Sequence, residues 1–112
     1  MTTFRKTRTA LAFISRHTRS DITRIRALAL GALLDTVTTG EVPDGGGTLF
    51  RDLVIATRDL AGAAWLDANA DDPDIRAFTA LDAAAEPPSA EALDEILSAV
   101  LWARFGPAPP PG

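Results

Sequence analysis

The chain contains no cysteine and no tyrosine, and among its 112 residues there is one methionine, one histidine and one lysine. Without cysteine there can be no disulfide, no thiolate metal site and no cysteine nucleophile, and nothing ties the chain to an oxidising compartment. His17 is the one natural general base near neutral pH. Ser15, two residues earlier, points away around a helix, and Asp21 lies beyond a helix break, so no nucleophile–base–orienter set is visible. What remains for chemistry is carboxylate, for instance the adjacent Asp94 and Glu95. No catalytic residue, cofactor or metal is assigned.

Long apolar runs are missing as well. No stretch approaches the 18 or more residues of a membrane span, and Ala10–Ile14 is too short for a signal-peptide core. The Arg- and Thr-rich start superficially suits an organellar transit peptide. Ten arginines against one lysine, with 21 alanines, read instead as GC-rich bacterial composition, and a cytoplasmic location is expected.

Acidic residues are scarce at the front. Residues 1–26 carry seven positive side chains (Arg5, Lys6, Arg8, Arg16, Arg19, Arg24, Arg26) against Asp21, a balance of +6. The other 86 residues carry four arginines against 14 acids, a balance of −10, and the sum is the chain's −4. Such a split implies either an anionic partner at the front or an internal attraction between the two parts.

What is present is helical periodicity with 46% hydrophobic residues, enough for a core in a chain of this length. A first helix is expected over about 3–17, with Phe4, Ala10, Leu11, Ile14 and His17 on one face. Ser20 caps a second, over 21–38, whose stripe runs Ile22, Ile25, Ala29, Leu33, Val37 and is widened by Leu28, Leu30 and Leu34. Gly31 weakens that helix and suggests a close approach of another helix. Gly40 ends it and Thr48 caps a third, over 49–68, with Phe50, Leu53, Val54, Thr57, Leu60, Ala61, Ala64 and Trp65 inward. Asp72-Pro73 starts a fourth, over 73–85, led by Ile75, Phe78 and Leu81 and broken by Glu86-Pro87-Pro88. Ser89 caps a fifth, over 90–105, burying Leu93, Ile96, Leu97, Val100, Leu101 and Phe105 before Gly106. The expected fold is an all-α, compact bundle of about five helices: one domain over 1–105 and a disordered, Pro-rich tail over 106–112. Residues 49–66 are hydrophobic over more than one face, which suits a homodimer sharing that surface.

Several motifs fail on inspection. Gly40 and Gly45 have P-loop spacing, but Gly46 stands at the lysine position, no strand leads in, and Glu41 and Asp44 repel anions; residues 40–48 read as a hinge. Asp67, Asn69 and Asp71 match the first ligands of an EF-hand. Asp72, Asp74 and Phe78 then break that pattern, leaving helix punctuation. Arg104, Pro107 and Pro110 fit a Pro-rich peptide signature that arises easily by chance in a biased tail.

The functional expectation is a non-enzymatic protein–protein interaction module: an adaptor, a regulatory or immunity-type partner, or an assembly component. Its candidate surfaces are Arg5, Arg8, Arg16, Arg19, Arg24 and Arg26, together with Trp65 and Trp102, because Arg and Trp often anchor interfaces. The alternative is a nucleic-acid-binding regulator using segment 1–26, against which the chain's overall acidity weighs. A small carboxylate-dependent enzyme is the second alternative.

Overall fold

A computed structural model describes residues 4–37, 48–83 and 88–106. Among them are six α-helices, one 3-10 turn and no strand: α1 (Arg5–His17), α2 (Asp21–Val37), α3 (Thr48–Ala61), α4 (Ala63–Ala68), α5 (Pro73–Ala80), the 3-10 turn Leu81–Ala83, and α6 (Ala90–Phe105). The protein is all-α, as its periodicity implies. The expected hinge at 40–48, the Gly40 stop, the Thr48 side-chain cap, the Glu86-Pro87 break and the tail beyond Gly106 lie outside the described residues and side chains.

Polar residues start and stop these helices where the sequence places them. Ser20 Oγ accepts the Thr23 amide at 3.2 Å, Asp72 Oδ1 accepts the Asp74 and Ile75 amides at 2.8 and 3.4 Å, and Ser89 Oγ accepts the Ala92 amide at 3.2 Å. Pro73 occupies the first turn of α5, where its missing N–H costs nothing. Gly106 closes α6 with its amide on the Trp102 carbonyl at 2.8 Å; a Cβ there would come within 2.4 Å of that oxygen.

Cross-links fix the helix directions. Arg8 pairs with Asp35 and Arg24 reaches Ser15, so α1 and α2 run antiparallel around the turn at residues 18–20. Thr7 meets Asp94 and Phe13 meets Trp102, so α1 and α6 lie side by side in the same direction. Arg104 Nε donates to the Ala61 carbonyl, bringing the C-terminal ends of α3 and α6 together. Parallel neighbours need a return crossover, and residues 62–89, with α4 and α5, supply it. The core at the centre includes Phe78, Leu30, Leu34, Ile75, Leu97, Leu101 and Val100, all fully buried.

Two expectations are corrected. The helix expected over 49–68 is broken at Gly62, whose φ of 93° lies outside the helical range and turns the chain into α4. Ala64 is consequently exposed rather than inward. The stripe expected on α2 holds for Leu30, Leu33 and Leu34, which are buried or packed against the core, and fails for the rest of its described residues. Its buried face is Ala27, Leu30 and Leu34, whereas Ile22, Ile25 and Leu28 are 61%, 65% and 61% exposed and Ala29 faces out. The helix is apolar around most of its circumference. Contact with α1 and α3 therefore selects the face, and spacing alone does not. His17, expected as a partly exposed histidine in the last turn of its helix, is exposed at the end of α1 and stacked on Phe13 at 4.3 Å between ring centroids.

Candidate interaction surface

The outer face of α2 is built from the residues that its inner face leaves over. Ile22, Ile25, Ala29 and Ala32 recur at steps of three and four, which places them in one row along the helix, with Leu28 beside them. Between α1 and α2 this row borders a groove of about 300 Å³ lined by Leu11, Ala12, Ser15, Leu28, Gly31 and Ala32 among others. A Cβ added at Gly31 would meet nothing within 4 Å, so the close approach expected there is not made by any of the described residues. Sequence reasoning missed this face because it assigned the same residues to the core. The signal available was that α2 carries two complete apolar rows where one suffices.

The structure divides the basic segment in two. Arg8 pairs with Asp35 at 2.7 Å, and Arg24 bonds the Thr18 carbonyl at 2.8 Å and Asp21 at 3.2 Å. Arg26 reaches the Asp59 carbonyl at 3.2 Å, and Lys6 pairs with Glu95. These groups hold helices to one another, in keeping with the internal attraction that the charge split allows. Arg5, Arg16 and Arg19 make no ion pair among the described residues. Arg5 and Arg16 share a side of α1 but lie eleven residues, about 16 Å of helix rise, apart. The six arginines therefore do not form one continuous patch.

Trp65 and Trp102 have different neighbours. Trp65 is half-buried, with the Arg104 guanidinium 5.6 Å from its ring centroid, an arrangement that joins α4 to α6. Trp102 is 36% exposed, packs on Phe13 at 5.2 Å and closes one end of a groove between α1 and α6. That groove, about 740 Å³ and open to solvent, is also lined by Arg5, Lys6, Thr9 and Glu95.

Asp94 and Glu95, the adjacent carboxylates singled out in the sequence, have structural partners. Asp94, 9% exposed, accepts from the backbone of Lys6 and Thr7 and from the Thr7 hydroxyl, and Glu95 takes Lys6. Within the acidic run 67–74, Asp72 caps α5. Among the described residues no group of three or more His, Asp or Glu is arranged to hold a metal ion, and no helix is long and apolar enough to cross a membrane.

Compared with models of known protein families, with curated proteins and with solved structures, the chain matches none of them. The class defined by fold and surface is thus a small all-α bundle with an exposed apolar helix face.

Proposed function

We propose that the chain is a cytoplasmic, non-enzymatic protein–protein interaction module whose contact surface is the outer face of α2. One observation carries this reading: Ile22, Ile25 and Leu28 stand more than 60% exposed on one helix, whereas among the other described large aliphatic side chains Ile55 alone is counted as exposed, at 44%. Burying such a side chain is worth about 1.5–3 kcal/mol, so three together are an energetic reason to find a partner. The occupied state of Asp94 and Glu95 supports a binding role over a carboxylate-based reaction.

The test compares wild type with the double variant Ile25→Asp/Leu28→Asp. Circular dichroism should be the same for both. Association with any protein, whether a second copy or another chain, should be lost in the variant. Retained association would defeat the reading.

The guanidinium groups of Arg5, Arg16 and Arg19, without ion pairs among the described residues, favour a second reading, nucleic-acid binding. It requires retention of DNA or RNA that weakens steeply between two salt concentrations and drops on Arg→Glu changes at these three positions.

A further inference from the structure

We propose that the occupant of the outer α2 face is a second copy of this chain, packed antiparallel about a two-fold axis near Leu28. This rests on the reading of that face as a protein contact surface and adds the identity and geometry of the partner.

The relief of the face is self-complementary. Its N-terminal half is bulky, with Ile22 and Ile25, and its C-terminal half is small: Ala29 and Ala32 continue the row, and Gly31 lies beyond Leu28 at the groove between α1 and α2. An antiparallel pair sets the two isoleucines of each copy over the small half of the other, and Leu28 meets Leu28 at the axis. A parallel pair would press bulk on bulk and leave space over the alanines, which close-packed interfaces avoid.

Gly31 supports the same arrangement independently. A glycine in mid-helix is unfavourable relative to alanine, and here no neighbour among the described residues uses the room it leaves. An isoleucine from a second copy would use it.

Charge is complementary in the same sense. Arg16 and Arg19, without ion pairs among the described residues, stand at the corner that leads into α2. Asp35, bonded to Arg8 yet with its side chain 71% exposed, stands near the other end. The last turn of α2 carries no basic residue of its own. Antiparallel packing brings the arginine corner of each copy to the partner's Asp35 and helix C-terminus, an attraction made twice by symmetry. The same axis sets Asp21 opposite the partner's Asp35, and the pair that Asp21 makes with Arg24 at 3.2 Å offsets its charge there. A parallel pair would instead place Arg19 against Arg19.

The chain lacks cysteine, so introduced cysteines report without interference. Leu28→Cys should crosslink to itself under mild oxidation. Ile22→Cys should not, because the two copies of that residue would lie roughly 18 Å apart along the axis, beyond disulfide reach. A mixture of Ile22→Cys and Ala32→Cys should crosslink. In sedimentation equilibrium up to about 300 µM, wild type should dimerise, and Ile25→Asp and Gly31→Leu should each weaken the dimer roughly tenfold or more. Gly31→Ala should raise the melting temperature of the diluted monomer, which separates a lost contact from a lost fold.

Self-crosslinking of Ile22→Cys, or an Ile25→Asp dimer as tight as wild type, would overturn the proposal. A monomeric wild type overturns it as well. If Ile25→Asp/Leu28→Asp then abolishes binding of a different protein, the contact-surface reading survives; if no association of any kind is lost, both fail together.

Discussion

Asp94 caps a helix from 87 residues away. Its Oδ1 accepts the Thr7 amide at 2.8 Å and the Thr7 hydroxyl at 2.6 Å, while Oδ2 accepts the Lys6 amide at 3.1 Å. Amides of the first turn of a helix have no partner within it. Phe4, the residue before α1, offers no side-chain cap and is held at φ 60°, a left-handed conformation uncommon for a bulky residue. A carboxylate from α6 therefore does what a local serine does elsewhere in this chain, and it also faces the positive end of the helix dipole.

Asp94→Ala should accordingly cost about 1–3 kcal/mol of unfolding free energy, since it leaves the first-turn amides of Lys6 and Thr7 without acceptors and leaves the Thr7 hydroxyl only the residue-94 carbonyl, at 3.3 Å. Urea titration measures it. Thr7→Val should cost less alone, and the double variant should be clearly less destabilised than the sum of the two, because the pair shares one network. Amide exchange at Lys6 and Thr7 should accelerate in Asp94→Ala while α5 stays protected. Additive losses would mean that the two residues act separately.

The arginines of the N-terminal segment should separate into two classes. Arg24→Ala removes bonds to the Ser15 and Thr18 carbonyls at the α1–α2 turn and should destabilise by about 1 kcal/mol. Arg5→Ala, Arg16→Ala and Arg19→Ala should each change stability by less than about 0.5 kcal/mol in the monomer. Thermal melts at low protein concentration distinguish the classes.

Gly62→Ala should destabilise by at least about 1 kcal/mol, because alanine at φ 93° is strained. The obstacle is conformational rather than steric: the nearest atom to an added Cβ is the Trp65 Cβ at 4.0 Å. A stability equal to wild type would show that α3 and α4 can join into one helix at no cost.

These sites also mark where the sequence stops being readable. The stripes of α1 and α5 follow from spacing because each has one apolar side, and Ser20, Asp72 and Ser89 announce helix starts through local chemistry. Gly62 gives no comparable signal, since the apolar period runs on through Leu60, Ala61 and Trp65 on either side of it. The Asp94–Thr7 cap has no local signature at all. In the basic segment, sequence shows charge but not partners, so Arg8, Arg24 and Arg26 looked as available as Arg5, Arg16 and Arg19 until Asp35, Thr18 and Asp59 were found beside them. In α2 two apolar rows compete, and spacing does not say that Ala27, Leu30 and Leu34 face inward while Ile22 and Ile25 stay outside.

Arg104 should be sensitive to shape as well as charge. Its Nε bonds the Ala61 carbonyl at 3.1 Å, and its guanidinium lies 5.6 Å from the Trp65 ring centroid and 5.1 Å from that of Phe105. Lysine keeps the charge but has no planar group to stack and no fixed fork of donors. Arg104→Lys should therefore recover little of the roughly 1 kcal/mol lost in Arg104→Ala. Full recovery by lysine, read from urea titrations of the two variants, would reduce the role of this side chain to its charge.

Leu28 and Leu30 provide the sharpest comparison, the same residue type two positions apart on one helix. Leu30 is fully buried, and Leu30→Ala should cost about 2–5 kcal/mol through lost transfer energy and the cavity left behind. Leu28 is 61% exposed, and Leu28→Ala in dilute protein should change stability by less than about 0.5 kcal/mol, because its methyl groups are mostly in water already. At high concentration the second value should grow, as the variant loses a contact that the dilute monomer never made and mass action through the dimer no longer adds to its stability. Chemical denaturation at two protein concentrations reads both effects. Equal losses at Leu28 and Leu30 in the dilute sample would mean that α2 buries its other row, and the contact surface drawn on its outer face would disappear with that change.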